Sequence, residues 1–126
     1  MLLAAGLLFA GLCGSFCIQA QDNTAGKTVS QKKFQRLIKK KNTVLLDVRT
    51  KDEYKAGHIP NAAQIDVLNT QEFKAQVANL DKKKRYLLYC RSGKRSKDAM
   101  HIMNEMGFVK LYDLDGGFTN WTGEKE

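Results

Sequence analysis

Cys90-Arg91-Ser92-Gly93-Lys94-Arg95-Ser96 puts one thiol beside a glycine, two hydroxyls and three cationic side chains. Cysteine reacts as its thiolate, which positive neighbours and backbone N–H groups stabilise. A free thiol has a pKa of about 8.5, and helix N-termini or basic neighbours lower it to roughly 3.5–7.5. Gly93 permits backbone torsions that other residues resist. The loop can therefore curl and turn successive N–H groups inward, as a nest for negative charge. A helix expected to begin near Ser96 points its positive end the same way. Cys90 is thus expected to be a nucleophile, largely ionised at neutral pH. The N–H groups of Arg91, Ser92, Gly93, Lys94, Arg95 and Ser96 would form a cradle for an anionic substrate and for a sulfur anion left on Cys90. Arg91, Lys94 and Arg95 are unranked candidates for side-chain contact with that substrate. A cysteine ending a buried strand can also serve only as a small apolar residue. The glycine and the three bases favour reactivity.

Such a loop must be held by the elements around it. "RYLLYC" (85–90) is a continuous apolar run, as is "TVLLDV" (43–48), and both suit strands buried on two faces. Residues 28–29, "AAQI" (62–65) and "VKLYDL" (109–114) are further strand candidates. Helical spacing marks 30–40, with Ser30 as N-cap and Phe34, Leu37 and Ile38 on one face. It also marks 50–57, with Thr50 as cap and Gly57 at the end, then 70–80 and 96–107. Residues 116–122 turn and close with one helical turn. Strand–helix alternation with short links predicts a single α/β domain, with a mostly parallel sheet of about five strands flanked by helices. In such sheets ligands bind beyond the carboxyl ends of the strands, and Cys90 is placed there.

The chain of 126 residues suits one domain. Residues 1–20 are apolar or small and carry no charged side chain, which reads as an export signal cut after Ala20. A membrane anchor, a buried helix, or lipid attachment at Cys13 or Cys17 are the other readings. Residues 21–26 are then a linker, 27–122 the domain and 123–126 a tail. Removal of the signal leaves Cys90 as the sole cysteine of a periplasmic or secreted protein, in a compartment where thiols usually pair. The net charge of +8 lies wholly outside residues 1–20, with clusters at Lys39–Lys41 and Lys82–Arg85. These fall between helices and strands, as solvated connections would, and no module or interleaved aromatics argue for nucleic acid. Two histidines and one remaining cysteine make no metal-ligand cluster.

Three stretches together resemble the rhodanese family: "LLDVRTKDEYKAGHIPNAAQID" (45–66), "CRSGKRS" (90–96) and "LDGGFTNW" (114–121). The resemblance spans residues 27–122, in family order, and departs at Asn61, where glycine is frequent. It implies a single-domain thiosulfate sulfurtransferase of periplasmic type. Cys90 would take the outer sulfur of thiosulfate, release sulfite, and pass the persulfide sulfur to cyanide or a thiol. That is ordinary thiol–disulfide exchange chemistry. No cofactor is implied, and the partners are a small anionic sulfur donor and its acceptor. Neither nucleic acid nor, once the N-terminus is removed, a membrane is expected, and the chain is expected to be a monomer. Asp47 and Arg49 lie near the expected mouth as supporting residues. Their expected role is structural, with Arg49 paired to Glu53 or another acid and Asp47 accepting hydrogen bonds from a nearby loop. His58 and Trp121 are also read as structural.

Three other readings compete. A persulfide carrier uses the same chemistry. Non-catalytic rhodanese-like interaction modules often lack the cysteine that stands here. Cysteine-dependent phosphatases and arsenate reductases rank lower: the phosphatases need Cys, five residues, then Arg, but Ser96 holds that place and Arg95 comes one position early. "GKRS" fails as a nucleotide-binding P-loop, because Leu88 stands where the first glycine is needed.

Overall fold

The computed structural model describes residues 26–126. The segment read as an export signal, with Cys13 and Cys17, lies outside them, as does most of the expected linker. The described chain alternates β1 (Lys27–Val29), α1 (Gln31–Ile38), β2 (Thr43–Asp47), α2 (Lys51–Ala56), β3 (Ala63–Gln64), α3 (Thr70–Val77), β4 (Arg85–Tyr89), α4 (Lys94–Glu105) and β5 (Lys110–Leu114). A short 3-10 turn, Phe118–Asn120, follows. The five strands form one sheet in the order β1-β5-β4-β2-β3. Every neighbouring pair is parallel.

Local chemistry accounts for the boundaries. Ser30 and Thr50 cap α1 and α2 by accepting N–H bonds from Lys33 and Glu53. At α2 the cap is reciprocal, because Glu53 also accepts from the Thr50 N–H. Asn69 caps α3 one residue before its expected start. That helix ends at Val77 rather than Leu80. β3 is a two-residue fragment of the expected 62–65. The consequential shift is at α4, which begins at Lys94, two residues before its expected start at Ser96. Gly93 is its N-cap, in the left-handed region at φ 112°. The helix end therefore reaches further into the Cys90 loop than the apolar periodicity indicates.

The sheet has two buried faces, and period-two alternation assigns side chains to them. Tyr86, Leu88 and Cys90 join Phe73, Val77, Ala99, Met103 and Phe108 on the side of α3 and α4. Leu87 and Tyr89 join Phe34, Leu37, Ile59, Leu114 and Trp121 on the side of α1. β4 sits in the middle of the sheet and is buried on both faces from Tyr86 to Tyr89. The chain runs outward from β2 to β3 in one direction and from β4 to β5 in the other. The crevice at the carboxyl ends of β2 and β4 is thus the switch point where such sheets take ligands, and Cys90 is the first residue past β4.

Candidate functional site

Cys90 leaves β4 pointing to the α4 side, and its burial is nearly complete, at 1% exposure. Its Sγ accepts the Gly93 N–H at 3.0 Å. This bond closes the loop on itself and supplies one inward-aimed amide of the expected cradle. The left-handed torsion at Gly93 makes the closure possible. Space does not demand the glycine, since an added Cβ would lie 3.8 Å from its nearest neighbour, the Lys97 Nζ. α4 starts with the next residue, so the positive end of a twelve-residue helix lies at the loop that holds the sulfur.

The carbonyls that would oppose a negative charge are tied off behind the loop. The Phe118 N–H donates to the Cys90 carbonyl at 2.8 Å and the Thr119 N–H to the Arg91 carbonyl at 3.1 Å. The turn that delivers them passes through Gly117 at φ 62°. A Cβ on Gly117 would stand 2.4 Å from the Arg91 carbonyl oxygen. Gly117 is thus required by conformation and by space together.

Ser96, on the first turn of α4, is fully buried. Its hydroxyl lies 3.0 Å from both the Gly93 carbonyl and Asp113 Oδ2, and donates toward them. The same oxygen is 3.6 Å from the Cys90 Sγ and accepts from the thiol. Asp113, at 0% exposure on β5, also accepts the Thr28 hydroxyl at 2.6 Å. A polar column therefore runs from the sulfur through Ser96 to Asp113 and Thr28. Sequence reading missed Asp113 and Thr28. The available signal was a lone carboxylate at Asp113, within the apolar strand "LYDL".

The three basic side chains of the loop separate in the structure. Arg95 presents its fork to Glu53 on α2, at 2.6 and 2.9 Å. The Arg95 hydrogen bonds pull the Glu53 carboxyl down to about 2, against burial, which works upward, and with further help from Thr50. Glu53 in turn holds Arg95 above its ordinary value. Arg91 and Lys94 are exposed at the loop's rim, as is Ser92. The three bases, unranked from the sequence, differ in their partners: Arg95 is engaged by a carboxylate, and Arg91 and Lys94 are in none of the ion pairs among the described residues.

Arg49 pairs with Asp47 and not with Glu53, which is taken by Arg95. Its Nη2 is 2.7 Å from Asp47 Oδ2 and donates also to the Gly57 carbonyl at 2.7 Å. Asp47 additionally accepts the Arg49 N–H. The guanidinium lies against Phe118 and Tyr89, 4.3 and 5.5 Å from their ring centres. Burial works to lower the Arg49 pKa, but the hydrogen bonds and charge of Asp47 prevail and raise it. The pair is buried and ties the end of β2 to the α2–β3 connection. Burial pushes the Tyr89 phenol upward, although its oxygen accepts the Ile59 N–H at 3.0 Å. His58 stacks on Tyr54 at 3.7 Å, with Nδ1 2.9 Å from the Tyr54 carbonyl oxygen. Trp121 is buried against Phe34. A cavity of about 360 Å³ beside Trp121, lined also by Ile38, Ile59 and Pro60, includes no residue of the Cys90 loop. No group of carboxylates, histidines and cysteines fit to hold a metal ion occurs among the described residues.

This geometry agrees with what the chain is similar to. A thiosulfate sulfurtransferase GlpE of Coxiella burnetii is 36% identical over 95 residues, covering 75% of this chain and 86% of that protein. A tRNA uridine(34) hydroxylase of Pelagibacter ubique is 32% identical over 99 residues, but the match covers only 33% of its length. Among solved structures, a rhodanese-related protein of Thermoplasma volcanium superposes with a TM-score of 0.63 at 27% identity, over 75% of this chain and 89% of that one. A rhodanese-like domain protein of Staphylococcus aureus gives 0.66 at 25% identity, over 78% and 93%. The Rhodanese-like domain model matches residues 30–124, and with a five-stranded parallel sheet carrying its thiol just beyond the central strand, the chain belongs to the rhodanese family.

Proposed function

We propose that the protein is a thiosulfate sulfurtransferase in which Cys90 carries the transferred sulfur. The observation that carries this reading is the Gly93 N–H directed onto Sγ at 3.0 Å, at the positive end of α4. In the first step the Cys90 thiolate attacks the outer sulfur of thiosulfate. The new S–S bond forms as the old one breaks, and sulfite leaves with the bonding pair. In the second, cyanide or a thiolate attacks the outer persulfide sulfur and regenerates the Cys90 thiolate. Both steps are exchange reactions between sulfur centres, and electrons balance without an added oxidant.

The chain's own groups suit each stage. In this reading the Gly93 N–H and its neighbours from Arg91 to Ser96 serve the charge that moves between donor and persulfide, as preorganised donors stabilise developing charge with little rearrangement. Arg91 and Lys94 meet the sulfonate end of the donor at the rim. Arg95 acts through Glu53 by holding the loop against α2. Asp47 and Arg49 support the crevice from beneath.

Phosphoryl transfer is a poorer fit. Where a phosphatase would place a clamping arginine, Ser96 stands, with the Asp113 carboxylate 3.0 Å behind it. Residues 1–20 are further proposed to direct export and to be removed, leaving Cys90 as the sole cysteine.

The test is thiocyanate formation from thiosulfate and cyanide by the purified protein. A Cys90→Ser variant is expected to lose the activity while keeping the native circular dichroism spectrum. Mass spectrometry after thiosulfate alone should show one added sulfur atom on wild type and none on the variant. Turnover by a folded Cys90→Ser protein would refute the assignment.

A further inference from the structure

The residues that open β2, β4 and β5 stand side by side at the end of the sheet away from Cys90. Thr43 pairs with Arg85, and Arg85 with Lys110. β4 separates this row from the thiol by roughly 17 Å, at about 3.3 Å per residue. The turns before β2 and β4 bring Lys41, Lys83 and Lys84 beside the same row, and these three with Arg85 and Lys110 line a cavity of about 340 Å³. Five cationic residues line it, Lys41, Lys83, Lys84, Arg85 and Lys110, with one acidic residue, Asp81. Among the described residues none of the five is in an ion pair. Asp81 serves its own turn: Oδ1 accepts the Lys83 N–H at 2.9 Å, and its carbonyl accepts the Tyr86 hydroxyl at 2.6 Å.

Arg85 supplies the independent observation. Its Nη1 donates to the Thr43 hydroxyl at 3.1 Å, which anchors the guanidinium. Its Nε is buried and has no hydrogen-bond partner among the described residues. Buried donors are nearly always satisfied, and an exception points to an acceptor that belongs there. A guanidinium edge presents N–H donors in the fork that phosphate and carboxylate oxygens match, and the surrounding ammonium groups add point charges.

We propose that this cavity binds a small multivalent oxyanion of the phosphate class, of the size of pyrophosphate. Several negative charges on one small ligand answer the five clustered cations. Arg85, held at Nη1 by Thr43, is the guanidinium among the residues that line the cavity, and its planar fork suits such oxygens. A nucleic-acid strand or a bilayer surface would meet chiefly the exposed ammonium groups. The site is separate from Cys90, and the inference does not rest on the sulfurtransferase reading.

Titration calorimetry of the full chain with sodium pyrophosphate, at about physiological salt to screen loose surface pairing, tests it. Saturable binding at one site is expected. Arg85→Lys keeps the charge and removes the planar guanidinium fork, and should weaken binding by about tenfold or more, the range of a lost charge-assisted bond. Lys83→Ala with Lys110→Ala, both on exposed side chains, should weaken it as well and guards against an Arg85 variant that fails to fold. Lys55→Ala, on α2, should leave affinity unchanged. Absence of saturable binding overturns the proposal. So does equal affinity in wild type and the Arg85 and Lys83/Lys110 variants, which would place the anion elsewhere, the Cys90 loop included. A single-stranded oligonucleotide and phosphatidylglycerol vesicles are run in parallel, and Arg85-dependent binding to either without binding of pyrophosphate also overturns it.

Discussion

Ser96 is the residue where reactive loop and core meet. Its one hydroxyl proton has two acceptors at 3.0 Å, the Gly93 carbonyl and Asp113, and its oxygen sits against the sulfur. Asp113 satisfies the hydroxyls of Thr28 and Ser96 at once. Asp113→Ala removes the acceptor of the Thr28 hydroxyl and leaves Ser96 with the Gly93 carbonyl alone. Two hydrogen bonds are lost, each worth about 1 kcal/mol net, so a loss of roughly 2 kcal/mol is expected in urea unfolding. Ser96→Ala removes only the hydroxyl and should cost less. Identical urea midpoints for Asp113→Ala and wild type would contradict the column of hydrogen bonds. Cys90 itself was legible from "YCRSGKRS", because a reactive thiol announces itself by its immediate neighbours. Asp113 was not, because its partners lie 17 and 85 positions away.

At the scale of elements, two contacts hold the loop, and each has its own test. Gly117 lets the segment after β5 press on the carbonyl side of Cys90 and Arg91. Gly117→Ala combines a positive φ with a 2.4 Å approach to backbone. Strain of this kind is worth about 1–3 kcal/mol before the displaced hydrogen bonds are counted. A lower melting temperature and reduced thiocyanate formation are expected together, since the same shift moves the loop. Normal activity in Gly117→Ala would show that the turn does not position the site. The second contact is Arg95 with Glu53, which joins α4 to α2. The Glu53 carboxyl titrates at about 2 in the fold instead of 4.5. Its contribution to stability is therefore complete above the ordinary carboxylate range and is lost as pH falls through the folded value. The melting-temperature gap between wild type and Glu53→Gln should be widest near neutrality and close as pH approaches 2. A gap that stays constant with pH would exclude the ion pair as its source.

At the scale of the whole molecule, the domain closes around Trp121 and the chain's last residues. Its indole N–H donates to the Glu124 carbonyl at 2.9 Å, and Glu126 and His58 exchange backbone hydrogen bonds at 2.8 and 2.9 Å. Residues 123–126, read from the sequence as a tail, are thus tied to the α2–β3 connection. Ending the chain at Thr122 uncovers Trp121 and frees His58. A loss of about 1 kcal/mol lowers the melting temperature by roughly 4–8 °C in a domain of about a hundred residues. A drop of that order, with red-shifted tryptophan emission, is expected. An unchanged melting curve would mean that these residues only lie on the surface. The five-stranded parallel sheet was readable, because buried strands and capped helices are written in local apolar runs and hydroxyl residues.

By itself the sequence determined the sheet's class, the place of Cys90 past a buried strand, and the caps Ser30 and Thr50, since all are set by residues within a turn or strand of one another. It also left three loop bases as equals. Only the tertiary structure distinguished their surroundings, by bringing Glu53 from α2 to Arg95 and leaving Arg91 and Lys94 at the rim. It likewise decided that Arg49 pairs with Asp47. It set Gly117 against the Arg91 carbonyl and gathered the five cations at the far end of the sheet. Pattern and propensity act over a few residues, whereas the partner of a charge or a buried donor is whatever packing places within 3 Å or so of it.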